Sequence, residues 1–560
     1  MDATAAAPDV ARPAGARGAL DRLAGRVGLD AGELACLAAL TALGFLPLLA
    51  LLSKGRALSG ADGLLATDQM QYLAWIREAG AHVLIGNPWD LAPGERRFLH
   101  PGLLLSGLAH RFLGVSIPLS YILWKPVAIA VSFAGCLLYV RRLVAGRGAR
   151  HVALALALLS VMPVVALVAW TGWGGKPRQY TFGFISGEMW SGHYLWGYVF
   201  TAIAVFLIPL VLLGLERWRE ERRPRLLALC ALGALLVMWL QPWQGAELAA
   251  IVVGVELLRA LPRLGAHRPS WAMVATVCAA VALPAAYYLW LSRVDPGWRL
   301  AGNANSAGAQ ALWSWPWWAI VATVAPLAAP AALAYRLPAP RWQDVAVRLW
   351  PLAVLAVYLA PVGTFPYHSF QGLALPLAIL AVIGVLSLRA RPPAWAVVLA
   401  LVLMILPGTI HKGEVLLSSV RAAGDPYWVF PGEIAALDAL ERDRRPGGVL
   451  GPTYASLLVP PRTGRETYVG PFSWTPDWSR RAVAVNDLFE GRLTGAAARR
   501  LVIASRARWL LADCRPLDLP ALERSIAALL ARPPQRFGCA TLYELRFRPE
   551  MARAAGPPDA

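Results

Sequence analysis

Charge is what this sequence has least of. Asp, Glu, Lys and Arg together make up 16% of the 560 residues while 57% are apolar, against about 25% charged in an ordinary soluble domain. That balance argues against a water-soluble enzyme. Acids are the scarcer sign, 34 against 53 Lys and Arg. In a soluble chain such a basic surplus points to nucleic acid, whereas in a membrane chain it gathers in cytoplasmic loops. Cysteine is rare as well: Cys36, Cys136, Cys230 and Cys278 lie one each in separate apolar runs and no Cys-x-x-Cys occurs, which excludes a zinc ribbon or a disulfide-rich scaffold. The P-loop, Gly-x-Ser-x-Gly, His-Glu-x-x-His and Gly-x-Gly-x-x-Gly signatures are missing, and with them the commonest ATPase, hydrolase, zinc-protease and dinucleotide readings. No repeat of roughly 20–50 residues suggests a solenoid.

Long apolar runs are what the sequence has. Leu34 to Leu52 passes without a charge, long enough for a bilayer core of about 30 Å at about 1.5 Å per residue. No small-x-small cleavage site follows before Lys54, so the segment reads as an uncleaved helix. Further spans fit Pro118–Val140, Val152–Thr171, Leu195–Leu215, Leu226–Leu240, Ala246–Leu258, Trp271–Leu291, Trp313–Ala334, Leu349–Val362, Gly372–Leu388 and Ala394–Ile410. With the N-terminus inside, the inner loops carry 17 Arg in 51 residues and the outer loops 10 Lys or Arg in 122. Positive residues favour the cytoplasmic side, so the expected topology is N-terminus in and C-terminus out, with the basic charge explained without nucleic acid.

The expected fold is thus an α-helical polytopic membrane protein of about 11 transmembrane helices with a C-terminal extracytoplasmic α/β domain. Its segments are a disordered cytoplasmic tail over 1–33, a transmembrane domain over 34–410 with a long first outer loop at 53–117, the α/β domain over 411–548, and a disordered tail over 549–560. Within the α/β region the pattern predicts strands at Gly448–Leu450, Thr467–Gly470, Arg508–Asp513 and Thr541–Leu545, and helices at Pro431–Arg442, Pro476–Glu490, Thr494–Ser505 and Pro520–Ala531. Cys514 and Cys539 fall in this polar region and are candidates for one disulfide in an oxidising compartment.

Candidate chemistry sits in the outer loops. A first loop of 65 residues is too long for a simple connector. It carries Asp68 at the start of an amphipathic stretch with Tyr72, Trp75, Ile76 and Ala79 on one stripe, expected to lie on the membrane surface. Asp68 can serve as a general base, or with Gln71 as an ordinary capping box. His100 precedes Pro101 before a second surface helix. Lys125 stands inside an apolar span, where a cation must be paired, wet or bound to a phosphate; Asp68 and Glu188 are its candidate partners. The second outer loop offers Lys176 and Arg178 in a glycine-rich setting as phosphate ligands, and Glu188 and His193 as acid/base groups. His368 joins two spans on the same side and can add a phosphate contact. Of the tryptophans near predicted span ends, Trp170, Trp173, Trp190, Trp196, Trp313, Trp315, Trp317 and Trp318 read as an interfacial belt, the last four alternatively as a sugar or lipid groove.

The long first outer loop with its acid, two surface helices, the His100-Pro101 step, about a dozen spans and a C-terminal α/β domain resemble the GT-C superfamily of integral-membrane glycosyltransferases. The stretch Thr463 to Gly470 and on through Trp474-Thr475-Pro476-Asp477 resembles the C-terminal region of uncharacterised bacterial proteins of this kind. The resemblance implies inverting transfer from a polyprenyl-phosphate sugar, with Asp68 as base and the leaving phosphate held by Lys125, Lys176 or Arg178. Many members pair two adjacent acids, whereas this chain has Asp68-Gln69, so no metal ligands are assigned and a divalent cation is left open. Expected partners are the lipid-linked donor, membrane lipid and an acceptor that is glycan, lipid or protein, with no nucleic acid. The expected location is the plasma membrane. A polytopic transporter or flippase for a lipid-linked or anionic substrate, and a non-catalytic scaffold presenting the C-terminal domain, are the alternatives.

Overall fold

The computed structural model describes residues 28–548 apart from 93, 262–266, 314–316, 361–364, 422–425 and 547, and no side chain over 306–316. The expected tail over 549–560 and most of that over 1–33 lie outside the described residues, as do the side chains of Trp313 and Trp315. The first helix, Ala31–Leu52, starts on a capping box in which Asp30 accepts from the Glu33 backbone and Glu33 reaches back to the Asp30 amide. Among the described residues six helices have the length and apolarity of a membrane span: Ala31–Leu52, Ile117–Leu143, Val199–Glu221, Trp271–Val294, Trp317–Ala334 and Ala394–Arg421.

The expected span Val152–Thr171 is instead two helices, Arg147–Leu159 and Val164–Thr171, bent by 49° around Pro163. Helices also form over the four other predicted runs, at Pro224–Leu240, Pro242–Ala260, Trp342–Leu359 and Ala374–Leu386, but they are shorter or more polar. Six spans, or seven with the bent pair, therefore meet the criterion where the sequence suggested eleven.

Predicted inner loops meet at one end of the bundle. Arg141 pairs with Glu33, Arg142 with Glu216 at 2.8 Å, and Arg147 with Asp30 at 3.0 Å, while Arg341 donates to the Arg142 carbonyl at 3.1 Å. These contacts tie the arginine-rich ends of separate helices together.

The opposite end carries the small α/β unit. Its sheet runs β1 (Val449–Leu450), β2 (Trp509–Ala512), β4 (Ala540–Glu544), β3 (Gln535–Phe537), with β1 parallel to β2 and the other pairs antiparallel. Register sets Leu510 beside Tyr543, and both are fully buried. Three predicted strands are present, and helices at Pro431–Arg442, Trp478–Phe489, Gly495–Ser505 and Leu519–Ile526 stand where four were expected. Thr467–Gly470 is not a strand: Thr467 makes only an isolated bridge to Val449. Strand β3 and the helix Thr453–Thr463 were not foreseen, the latter because Pro460 and Pro461 lie inside it and proline normally ends a helical reading. Cys514 and Cys539 form a disulfide.

The first outer loop is built into this unit. The helix Ala66–His82, expected on the membrane surface, is instead clamped between Pro101–Leu113 and Thr453–Thr463. It crosses the former where a Cβ on Gly80 would lie 2.5 Å from the Gly107 carbonyl oxygen, so only glycine permits this approach. On the other side Arg77 pairs with Glu441 at 2.7 Å and Trp75 meets Trp474 edge-on at 5.0 Å. Thr467 donates to the Pro88 carbonyl at 2.8 Å, and Asn87 to that of Trp474 at 2.8 Å.

Candidate active site

Asp68 sits in the first turn of Ala66–His82. Leu65 occupies the N-cap and no side chain caps the helix, so the Asp68–Gln71 capping box is absent and the carboxylate is available for other contacts. Its Oδ2 accepts from the Tyr198 hydroxyl at 2.6 Å. Burial raises the Asp68 carboxyl above its ordinary value, opposed by the Tyr198 hydrogen bond and the field of His368. A base stronger than a free aspartate is the chemical consequence. Tyr198 also lies against His193, ring centroids 5.0 Å apart, and edge-on to Tyr72 at 6.2 Å.

Glu188 ends the helix Gly175–Met189 and is buried. Its Oε2 accepts from Gln371 Nε2 at 2.7 Å and lies 3.0 Å from His368 Nδ1. Burial alone would raise this carboxyl, but His368, His193 and Gln371 together hold it below its ordinary value. His368 belongs to the turn Pro366–Phe370, which Gln244 fixes through the His368 carbonyl at 2.7 Å; Trp243 packs edge-on to the imidazole at 4.8 Å. Burial pushes the His193 imidazole down to about 4, with Glu188 opposing the shift.

Sequence reasoning missed Lys412. The helix Ala394–Arg421 was expected to end at Ile410 but continues about three turns further, and the buried Lys412 ammonium donates to the Gly183 carbonyl at 2.7 Å. A Cβ on Gly187 would lie 3.6 Å from Lys412 Nζ and 3.9 Å from His193 Nδ1, so cation and imidazole share one wall with Glu188. Only its place after an apolar run could have signalled this. Tyr198 and Gln371 were missed too, being neutral groups without a motif.

Four predicted ligands stand apart from this cluster. Lys125 is not a phosphate ligand: it pairs with Asp62 at 2.8 Å, both side chains 1% exposed, and donates to the carbonyls of Leu195 at 2.6 Å and Gly44 at 3.2 Å. Its partner is neither Asp68 nor Glu188. Asp62 in turn accepts from Gln69 Nε2 at 2.8 Å, while Gln69 Oε1 accepts from the amides of Asp62 and Gly63. The residue beside Asp68, where many resembling proteins carry a second acid, is therefore the buried brace of this loop. His100 is a helix cap, its Nδ1 accepting from the Leu103 amide at 3.2 Å; burial drops its pKa to about 3, which keeps it neutral and removes the positive charge a phosphate would attract. Lys176 is exposed. Arg178 stacks over Trp173 with Cζ 4.3 Å from the ring centroid. Trp170, Trp173 and Trp317 are exposed as a belt requires, but Trp190 and Trp196 are fully buried against one another at 4.9 Å. Among the described residues no group of three or more His, Cys, Asp or Glu could hold a metal ion.

No protein-family model and no curated protein matches the chain. Solved structures do. The chain is similar, at 12% identity and a TM-score of 0.49, to the apo oligosaccharyltransferase of Archaeoglobus fulgidus, over 86% of this chain and 69% of that one. The archaeal oligosaccharyltransferase AglB from Archaeoglobus fulgidus, in complex with an inhibitory peptide and a dolichol-phosphate, aligns at 12% identity with a TM-score of 0.45, over 86% of this chain and 69% of that one. ArnT from Cupriavidus metallidurans, bound to undecaprenyl phosphate, aligns over 95% of this chain and 99% of that one, at 12% identity and a TM-score of 0.48.

Proposed function

We propose that this protein transfers a sugar, with inversion, from a polyprenyl-phosphate donor to an acceptor hydroxyl on the extracytoplasmic side of the membrane. The single observation carrying the proposal is the half-buried Asp68 carboxyl, oriented by Tyr198 beside a wall that holds Glu188, His368, His193 and Lys412. Asp68 Oδ2 is engaged by the phenol, which leaves Oδ1 for the acceptor. Asp68 takes the hydroxyl proton, the oxygen attacks the anomeric carbon, and the bond from that carbon to the phosphate oxygen breaks with its electrons. Lys412 offers the positive charge that the leaving phosphate requires. Glu188 holds His368 through Nδ1, so Nε2 is the nitrogen left to a ligand. The donor class comes from the sequence resemblance. The same proposal puts the N-terminus in the cytoplasm and the disulfide-bonded α/β domain, which begins beyond the helix ending at Arg421, outside the plasma membrane, where an oxidising compartment suits Cys514 and Cys539.

The test incubates membranes containing the protein with a panel of polyprenyl-phosphate sugars labelled in the sugar, and measures free polyprenyl phosphate together with the anomeric configuration of the product. Release of the lipid phosphate with inverted product supports the proposal. No release from any donor, across lipid, glycan and peptide acceptors, overturns it.

A further inference from the structure

The stretch Trp474-Thr475-Pro476-Asp477 found no chemistry in the sequence, and the proposed catalytic wall does not use it. In the fold it forms one side of an open groove of about 500 Å³, facing Leu300, Asn303 and Ala304 of the helix Pro296–Trp313 and lined on its own side by Phe472, Thr475, Asp477, Trp478, Ser479 and Arg480. Two aromatic side chains stand open here, Phe472 at 49% and Trp478 at 37% exposure. Between them lie an amide, a carboxylate, a hydroxyl and a guanidinium, from Asn303, Asp477, Ser479 and Arg480, all exposed.

The groove is braced from behind. Trp478 Nε1 donates to the Gly470 carbonyl at 2.9 Å and Thr475 Oγ1 accepts from the Gly470 amide at 2.9 Å. Trp474 is wedged between Trp75 at 5.0 Å and Trp298 at 5.6 Å. Asp477 is the unusual member. It holds the left-handed backbone at φ 47° and occupies the N-cap of Trp478–Phe489, yet its side chain makes no capping bond. Aspartate at an N-cap ordinarily bonds the first-turn amides. A strained residue that forgoes its usual partner points to an outside one.

We propose that this groove binds the acceptor as a saccharide chain, a step that rests on the transferase proposal above. Sugar rings present flat C–H faces, which stack on the negative faces of aromatic rings, and edges of hydroxyls, which suit a carboxylate, an amide and a guanidinium. A lipid tail would leave the polar groups unpaired, and the mixed lining matches a ligand that is apolar on its faces and polar around its rim. Trp75, behind the groove, and Asp68 lie on one helix seven residues apart, an axial rise of about 10 Å.

The experiment is a binding screen of the full-length purified protein in nanodiscs on an immobilised array of short hexose and pentose oligosaccharides. The wild type retains at least one glycan class, and Trp478→Ala weakens it at least tenfold. Asp477→Gly guards against misfolding: glycine is at ease at this φ, so this variant melts no lower than the wild type and still loses at least tenfold in binding. No glycan retained by the wild type overturns the proposal, as does undiminished binding by Asp477→Gly and Trp478→Ala. Polyprenyl-phosphate release that needs Asp68, in a protein that binds no glycan, sinks this groove and leaves the transferase standing. Glycan binding through the groove without any release does the reverse.

Discussion

Removing the Lys125 ammonium as Lys125→Met strips Asp62 of its counter-charge where neither side chain is more than 1% exposed. Breaking one partner of a buried ion pair costs about 3–5 kcal/mol, because a buried charge is left uncompensated. Asp62 keeps its bond from Gln69 at 2.8 Å, which favours the lower end, while the carbonyls of Gly44 and Leu195 lose their donor. About 3 kcal/mol lowers the folded-to-unfolded ratio on the order of 100-fold. Lys125→Met with Asp62→Asn removes both charges and keeps an acceptor for Gln69, so the double variant recovers most of the loss. The assay is the thermal midpoint of the protein in nanodiscs, read by tryptophan fluorescence, beside turnover of the fraction that remains folded. The expected result is a lowered midpoint for Lys125→Met, near-complete rescue in the double variant, and ordinary turnover per folded molecule. A Lys125→Met protein that melts like the wild type but loses donor affinity refutes the structural role and returns Lys125 to the phosphate.

Three further expectations follow from the same contacts. Lys412→Met raises the donor KM at least tenfold while the melting temperature stays close to the wild type, since the ammonium satisfies one carbonyl only; an unchanged KM removes Lys412 from the donor site. His100→Asn keeps a helix-capping acceptor and leaves kcat within about twofold, whereas a loss beyond about 100-fold would return His100 to the machinery. Its pH behaviour is also fixed in sign: the folded-state value of about 3 lies below the unfolded value of about 6.5, so the unfolded chain binds more protons between them and stability falls as pH drops through that window. His100→Asn therefore flattens the acid limb of the melting profile, and an identical profile contradicts its buried neutrality. Burial conversely raises the Asp513 carboxyl to about 6, above its unfolded value of about 3.9, so the native state holds the extra proton and its stabilising effect is lost as pH rises through 6. Asp513→Asn should raise the melting temperature at pH 7.5 and not at pH 4; a gain at both refutes that cause.

Apolar runs and arginine placement are long-range features written directly in composition, which is why the membrane-bundle character and the polar end could be read from residue order. Breaks were less legible. Pro163 bends a predicted span, yet Pro460 and Pro461 sit inside a helix, because buried contacts with the Asp68 helix outweigh the lost backbone bonds. Asp68 could be singled out as a carboxylate beginning a surface helix, but its partner Tyr198 lies 130 residues away and carries no motif. Lys125 was misread for a related reason. An intramembrane cation signals that some anion is near, and nothing in the chain order chooses Asp62 over Asp68 or Glu188. The helix Ala394–Arg421 outran its apolar stretch, which hid Lys412 among residues assigned to the polar domain.

The two aspartates of the first outer loop give the most direct test. Asp68→Asn and Asp62→Asn are compared at equal abundance for release of polyprenyl phosphate and for thermal midpoint, across pH. The account predicts that Asp68→Asn keeps the wild-type midpoint and loses turnover by about 100-fold or more, while the wild-type rate falls as acidification protonates the raised Asp68 carboxyl. Asp62→Asn does the opposite, melting earlier with turnover retained in the folded fraction. Wild-type turnover by Asp68→Asn contradicts the central claim, whatever Asp62→Asn does.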